Sequence, residues 1–225
     1  SMSKSIYAGV TLAVVAFFMI VLSTITMAQN NSYATQERAE QQSILALSEW
    51  VGVTTKNAVP ARDAVSIVKT VYRTAKRHNV DPLLILAMTR HESGFRTKAK
   101  SHAGAKGLMQ VIPYWHKDKI RGRNIFDTAV NIEVGTKIID DCLYKHKDNV
   151  KRALSCYSGG AGIEYYQRIA SSHKQMRQHI VAHAILNDRP VMDTVAFGKP
   201  RLFTPDEPAG NHFAHKPGAK DPADT

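Results

Sequence analysis

Residues 79–95 read NVDPLLILAMTRHESGF. Asp81 followed by Pro82 is a helix start, with a carboxylate to cap the first amides and a proline whose missing N–H is harmless at the first position. The run from Pro82 to His91 is apolar on nearly all sides, so the predicted helix belongs in the centre of a core rather than on its surface. At the end of that run stands Glu92. A carboxyl group held against apolar surroundings loses water, and desolvation favours its neutral form and raises its pKa. Arg90 acts in the opposite sense. A glutamate at a helix end is most often simply solvated, so residues 79–95 alone leave a surface group and a tuned acid both open.

The neighbouring segments extend the helical reading. Ala64, Val68, Val71 and Ala75 share one stripe with Val65 and Tyr72 beside it. Ile132, Gly135, Ile139, Cys142 and His146 form another, and Val150, Ala153, Leu154 and Tyr157 a third, closed by two glycines. A further amphipathic stretch runs from about Ile163 into QHIVAHAIL. No segment alternates as a strand does, and the expected fold is an all-α domain over residues 61–186. Ahead of it, residues 1–28 carry Lys4 and then IYAGVTLAVVAFFMIVL, without a charge from Ser5 to Gln36. That pattern suits a cleaved signal peptide or a retained membrane anchor equally, and either implies export. Residues 29–60 read as a polar, partly helical spacer. Residues 187–225 hold six of the nine prolines and read as a flexible tail.

The formal charge of +11 favours anionic partners, but no zinc knuckle, aromatic RNP pattern or continuous basic helix accompanies it, and no nucleic acid is expected. Cys142 and Cys156, the two cysteines, fall on consecutive helices joined by a short turn. In an oxidising compartment they can pair if their Cα atoms come within about 7 Å, and two packed free thiols are the alternative. His179 and His183 have the i, i+4 spacing of helical metal ligands without the glutamate of the zinc-protease motif, so no metal and no cofactor are expected. Lys98, Lys100 and Lys106 crowd the loop after Glu92, either as a solvated face or as an attractor for carboxylates. His91 is assigned no role.

Four segments in order, HESGF at 91–95, GAKGLMQVIP at 104–113, NIEVGTKII at 131–139 and ALSCYSGG at 153–160, resemble the motif set of the SLT-type (family 1) lytic transglycosylases, which share the goose-type lysozyme fold. The resemblance spans about residues 80–169 and implies a lysozyme-like all-α domain acting on peptidoglycan in the periplasm. It makes Glu92 the catalytic acid/base and Tyr157 the tyrosine that orients it. Ser93, Met109, Gln110, Ser158 and Tyr165 become substrate-binding residues, Phe95 a packing residue and Gly107 the hinge of a tight turn. Ser158 departs from the asparagine usual at its position, which weakens the expected grip on the glycan there.

The motifs contain one other carboxylate, Glu133, and its place reads as helix surface. Two-carboxylate glycosidases need a second acid facing the first. A single acid therefore points, with the resemblance, to attack by the substrate's own hydroxyl and a 1,6-anhydro product. The alternatives are a goose-type lysozyme that uses water and a non-catalytic wall-binding subunit. The architecture also resembles that of transglycosylases serving secretion, conjugation or phage machines.

Overall fold

The computed structural model describes residues 2–187, with side chains from Val15 onward. The tail expected over 187–225 lies outside the described residues apart from Asn187. The first helix, α1 (Met2–Thr54), runs through two units that divide between Gln42 and Ser43. In the first unit Phe17, Phe18, Met19, Ile20 and Leu22 are exposed. The segment predicted as a signal or anchor forms the start of this helix. Among the described residues no helix is long and apolar enough to cross a membrane.

The second unit begins well before residue 61. Ile44, Leu47, Trp50 and Val51 are buried, so the latter half of the expected spacer is part of the core. Polar letters hid this, because only one stripe of the segment faces inward. Six further helices follow: α2 (Ala61–His78), α3 (Pro82–Ser93), the short α4 (Lys117–Ile120), α5 (Thr128–Lys145), α6 (Val150–Tyr157) and α7 (Ile163–Leu186). The described residues contain no strand, only isolated bridges that pair Lys106 with Lys100 and with Val111.

The helix α3 is the axis of this unit. Asp81 Oδ1 accepts the Leu83 amide at 2.8 Å, and every residue from Pro82 to Thr89 is buried. Burying each large aliphatic side chain contributes about 1.5–3 kcal/mol, which fixes the helix in place. Asn79 in the left-handed conformation ends α2, and Gly94, at φ 59°, ends α3 just after Glu92. Packing runs from α7 to α3, from α3 to α2, from α2 to α5 and from α5 to α6. Cys142 on α5 and Cys156 on α6 form a disulfide, with Cα atoms 5.9 Å apart. Closing a loop of this size stabilises a fold by about 3 kcal/mol. The link also pins α6 to α5 at the residue before Tyr157.

Candidate active site

Glu92 sits in the last turn of α3, where the apolar helix ends and its carboxyl is half-buried. Burial raises its pKa, and a hydrogen bond from Tyr165 opposes that rise. The Tyr165 hydroxyl donates to Glu92 Oε1 at 2.5 Å. Oε2 has no hydrogen-bond partner among the described residues. The carboxyl is thus held by one oxygen and open at the other, with a pKa above the ordinary glutamate value of about 4.3.

Tyr165 comes from the first turn of α7 and is itself buried. Burial first, then the adjacent Glu92 charge, drive its hydroxyl far above the usual tyrosine range, so it stays a donor at any working pH. The ring of His91 meets the ring of Tyr165 edge-on, with centroids 4.9 Å apart. Burial and the nearby Arg168 hold His91 below its ordinary pKa. Although adjacent residues on a helix diverge, His91 reaches Tyr165 because α7 packs along the flank of α3.

Tyr157 makes no hydrogen bond to the glutamate. Its hydroxyl donates to the Met109 carbonyl at 2.6 Å, and burial, followed by the charge of Glu92, pushes its pKa well up. The hydrogen bond to Glu92 thus comes from Tyr165, expected among the substrate-binding residues, whereas Tyr157, expected beside the glutamate, is bonded to the 104–113 loop. Sequence order alone did not separate them: Tyr157 stands just before the Gly159–Gly160 pair and Tyr165 shortly after it, so both fall at the same turn.

That loop is fixed by Asn131, which is buried on α5. Its Oδ1 accepts the Met109 amide at 2.7 Å, and its Nδ2 donates to the carbonyls of Lys106 and Ile125, each at 2.9 Å. A Cβ on Gly107, whose φ is 75°, would collide with the Asn131 amide, so glycine is required for both conformation and space. Gly135 is required for space alone, because a Cβ there would lie 2.5 Å from Met109 Sδ. Asn131 opens the NIEVGTKII motif, but its part appears only once the folded chain places α5 behind the loop.

Three expected substrate-binding residues have other duties. Ser93 is buried, and its hydroxyl donates to the Thr89 carbonyl at 3.1 Å, so it faces back into α3 rather than towards a sugar. The Met109 side chain is fully buried against Gly135, leaving only its backbone at the site. Ser158 donates back to the Leu154 carbonyl at 2.9 Å and accepts the Ala161 amide at 3.1 Å, which holds the turn between α6 and α7. A serine suits this local cap because its short hydroxyl reaches both groups. Gln110, at φ 46°, is half-buried and donates its amide to the Gly107 carbonyl at 2.9 Å, with Oε1 left for other partners. Phe95 is buried edge-on to Trp50, as a packing residue should be.

Glu133 is not a second catalytic carboxylate. It is bonded to Arg77 and, at 3.1 Å, to His78 on the seam between α2 and α5. Burial would raise its pKa, but the hydrogen bonds from His78 and Arg77 outweigh it and leave the group below the ordinary value. His183 lies 3.7 Å from Glu49, and no group of residues suited to hold a metal ion occurs among the described residues.

Known proteins resemble this chain over part of its length. The profile of the Transglycosylase SLT domain matches residues 69–180. Over 128 residues, 49% of this chain, there is 33% identity to the membrane-bound lytic murein transglycosylase C of Klebsiella pneumoniae strain 342, of which 35% is covered. The protein of the same name from Mannheimia succiniciproducens is 36% identical over 121 residues, 46% of this chain and 33% of its own. The match thus spans about a third of the length of these curated relatives. The X-ray structure of lytic transglycosylase Slt from Pseudomonas aeruginosa aligns with a TM-score of 0.40 at 20% identity, covering 59% of this chain and 26% of that one.

Proposed function

Since the chain carries a Transglycosylase SLT domain over residues 69–180, we propose that it is a peptidoglycan lytic transglycosylase that cleaves the β-1,4 bond between MurNAc and GlcNAc. Glu92, pushed towards its protonated form by burial, gives its proton to the glycosidic oxygen. The bond from MurNAc C1 to that oxygen breaks, and its electron pair leaves with the GlcNAc 4-oxygen. The 2-acetamido oxygen of MurNAc shields the positive charge at C1. The Glu92 carboxylate then takes the proton of the MurNAc C6 hydroxyl as O6 attacks C1. A 1,6-anhydro ring closes, Glu92 is protonated again, and no water is consumed.

The observation that carries this reading is the contrast in carboxylates. Glu92 has Oε1 held by Tyr165, Oε2 open and a raised pKa, while Glu133 is committed to Arg77 and His78. A hydrolase of the two-carboxylate type would need a second acid across the cleft. Tyr165 is the positioning residue for the acid, with His91 against its ring. Gln110 and the backbone at Met109, held by Asn131 and Tyr157, frame the glycan side.

The same proposal places the domain in the periplasm, exported by an N-terminal signal or held at the inner membrane by that segment. It assigns the domain to localised wall opening for a secretion, conjugation or phage machine. Support for that role is the order of segments: an apolar N-terminal run, the catalytic domain and a proline-rich stretch. Digestion of purified sacculi, with the muropeptides weighed by mass spectrometry, tests the chemistry. Anhydro products, lighter by one water than hydrolytic ones, are expected. Release of reducing-end MurNAc alone would make the protein a hydrolase, and turnover unaffected by Glu92→Gln would remove the acid from the mechanism altogether.

A further inference from the structure

Lys98, Lys100 and Lys106 place their ammonium nitrogens 5.5, 5.5 and 5.9 Å from the centre of one ring, that of Phe126. The backbone produces this grouping. Lys98 and Lys100 are two apart in an open segment, and the bridge between Lys100 and Lys106 sets the third beside them. Like charges gathered in so small a volume repel one another. The face of an aromatic ring offsets part of that cost. No carboxylate forms an ion pair with any of the three among the described residues, whereas Lys119 and Lys137 each have aspartate partners.

A second feature adjoins the cluster. Lys98 and Lys100 also line a cavity of about 460 Å³ whose apolar wall includes Val59, Pro60 and Ile67. Arg96 adds a further cation to the lining, and Asp63 is its one carboxylate. An apolar recess rimmed by cations suits a short peptide that carries small aliphatic side chains and free carboxylates. The lysines lie on the loop that leads from Glu92 to Gly107, and the Lys106 carbonyl is held by Asn131, which also holds Met109.

We propose that Lys98, Lys100 and Lys106 form an anion site for the carboxylates of the peptide stems borne by the glycan, with the adjoining cavity taking the stem's apolar part. This rests on peptidoglycan being the substrate, and it adds a preference for strands that keep their stems. A site built from point charges near the surface should weaken steeply as salt rises.

The test uses the full chain with Glu92→Gln, so that binding is read without turnover. Binding is measured to sacculi with intact stems and to glycan strands from which an amidase has removed them. The chain with Lys98, Lys100 and Lys106 all changed to glutamine is expected to bind stem-bearing sacculi about tenfold more weakly at low salt, with affinity for stripped strands within twofold. Thermal melting of the variant shows whether the fold is kept. A second chain with all three changed to arginine should retain the stem preference. Equal losses on both substrates, or no loss on either, would overturn the proposal. Because the readout is binding to two forms of the wall, its failure is distinct from absence of anhydro products in the active chain.

Discussion

Glu92 and Glu133 lie in one helical unit, and each meets the end of an α-helix from a neighbouring part of the chain, yet their environments drive them apart. At the end of α3, Glu92 follows a buried apolar run and accepts one tyrosine hydroxyl. On the seam of α2 and α5, Glu133 meets a guanidinium and an imidazole, and Asp140 bonds the other nitrogen of the same His78 at 3.2 Å. The first carboxyl is pushed towards the acid form and the second towards the anion. One residue type is thus pushed towards the neutral acid in one place and held as a structural ion in another, and the surrounding charge and water decide which.

The largest expected effect follows directly. Glu92→Gln keeps the shape and the Tyr165 contact but removes the proton donor, and anhydro-product release should fall by about a thousandfold. Glu133→Gln should leave turnover within twofold. A comparable fall in both variants would break the contrast between the two carboxylates.

Next in size is the frame behind the site. Asn131→Ala leaves the Met109 amide and the carbonyls of Lys106 and Ile125 without their partner. Buried groups left unsatisfied cost about 1–3 kcal/mol each, partly recovered by water, so a loss of about 3 kcal/mol in denaturant unfolding is expected. Activity should fall with it, because the Met109 backbone moves. Stability unchanged by Asn131→Ala would mean that the loop is held elsewhere.

The tyrosines sharpen the comparison further. Tyr165→Phe removes a hydrogen bond that lowers the pKa of Glu92, so the alkaline limb of the pH–rate profile should move to higher pH, with a fall in rate of about tenfold from lost orientation. Tyr157→Phe strands the Met109 carbonyl instead, and should cost about 1 kcal/mol of stability without moving that limb. A shift of the limb in the Tyr157 variant and none in the Tyr165 variant would restore the assignment that the motifs imply.

Much of this was legible before any coordinates. Asp81 and Pro82 start α3, and the unbroken apolarity that follows says that it is central, so the position of Glu92 followed from local chemistry. The resemblance, rather than local chemistry, marked Gly107 as a turn glycine. What stayed hidden depends on which helices meet. Ser93 and Met109 belong to the motifs but turn inward, because a motif records which residues are needed and not which way they face. Asn131, and the part of Tyr165 as partner of the acid, require α5 and α7 to be laid against the site. Residues 43–54 looked like spacer because a helix with a single buried stripe contains as many polar letters as a linker does.

The smallest effect is also the one that isolates the carboxylates from catalysis. The slope of stability with pH follows the difference in protons bound by the unfolded and folded chains. The folded pKa of Glu92 is raised, so its contribution is fully present below the unfolded value of about 4.3 and is lost as pH climbs through the folded value. Glu92→Gln should therefore gain on the parent protein as pH rises through that window. The folded pKa of Glu133 is lowered, so its contribution is present above about 4.3 and is lost as pH falls through the folded value. Glu133→Gln should be the less stable chain at neutral pH, by less than about 1 kcal/mol because the pair with Arg77 is partly exposed, and the gap should close on acidification. Urea unfolding from pH 3 to pH 8 reads both differences, and they must run with opposite sign. Parallel curves would mean that the two sites tune their carboxyls alike, which would leave Glu92 with no more claim to be the acid than Glu133.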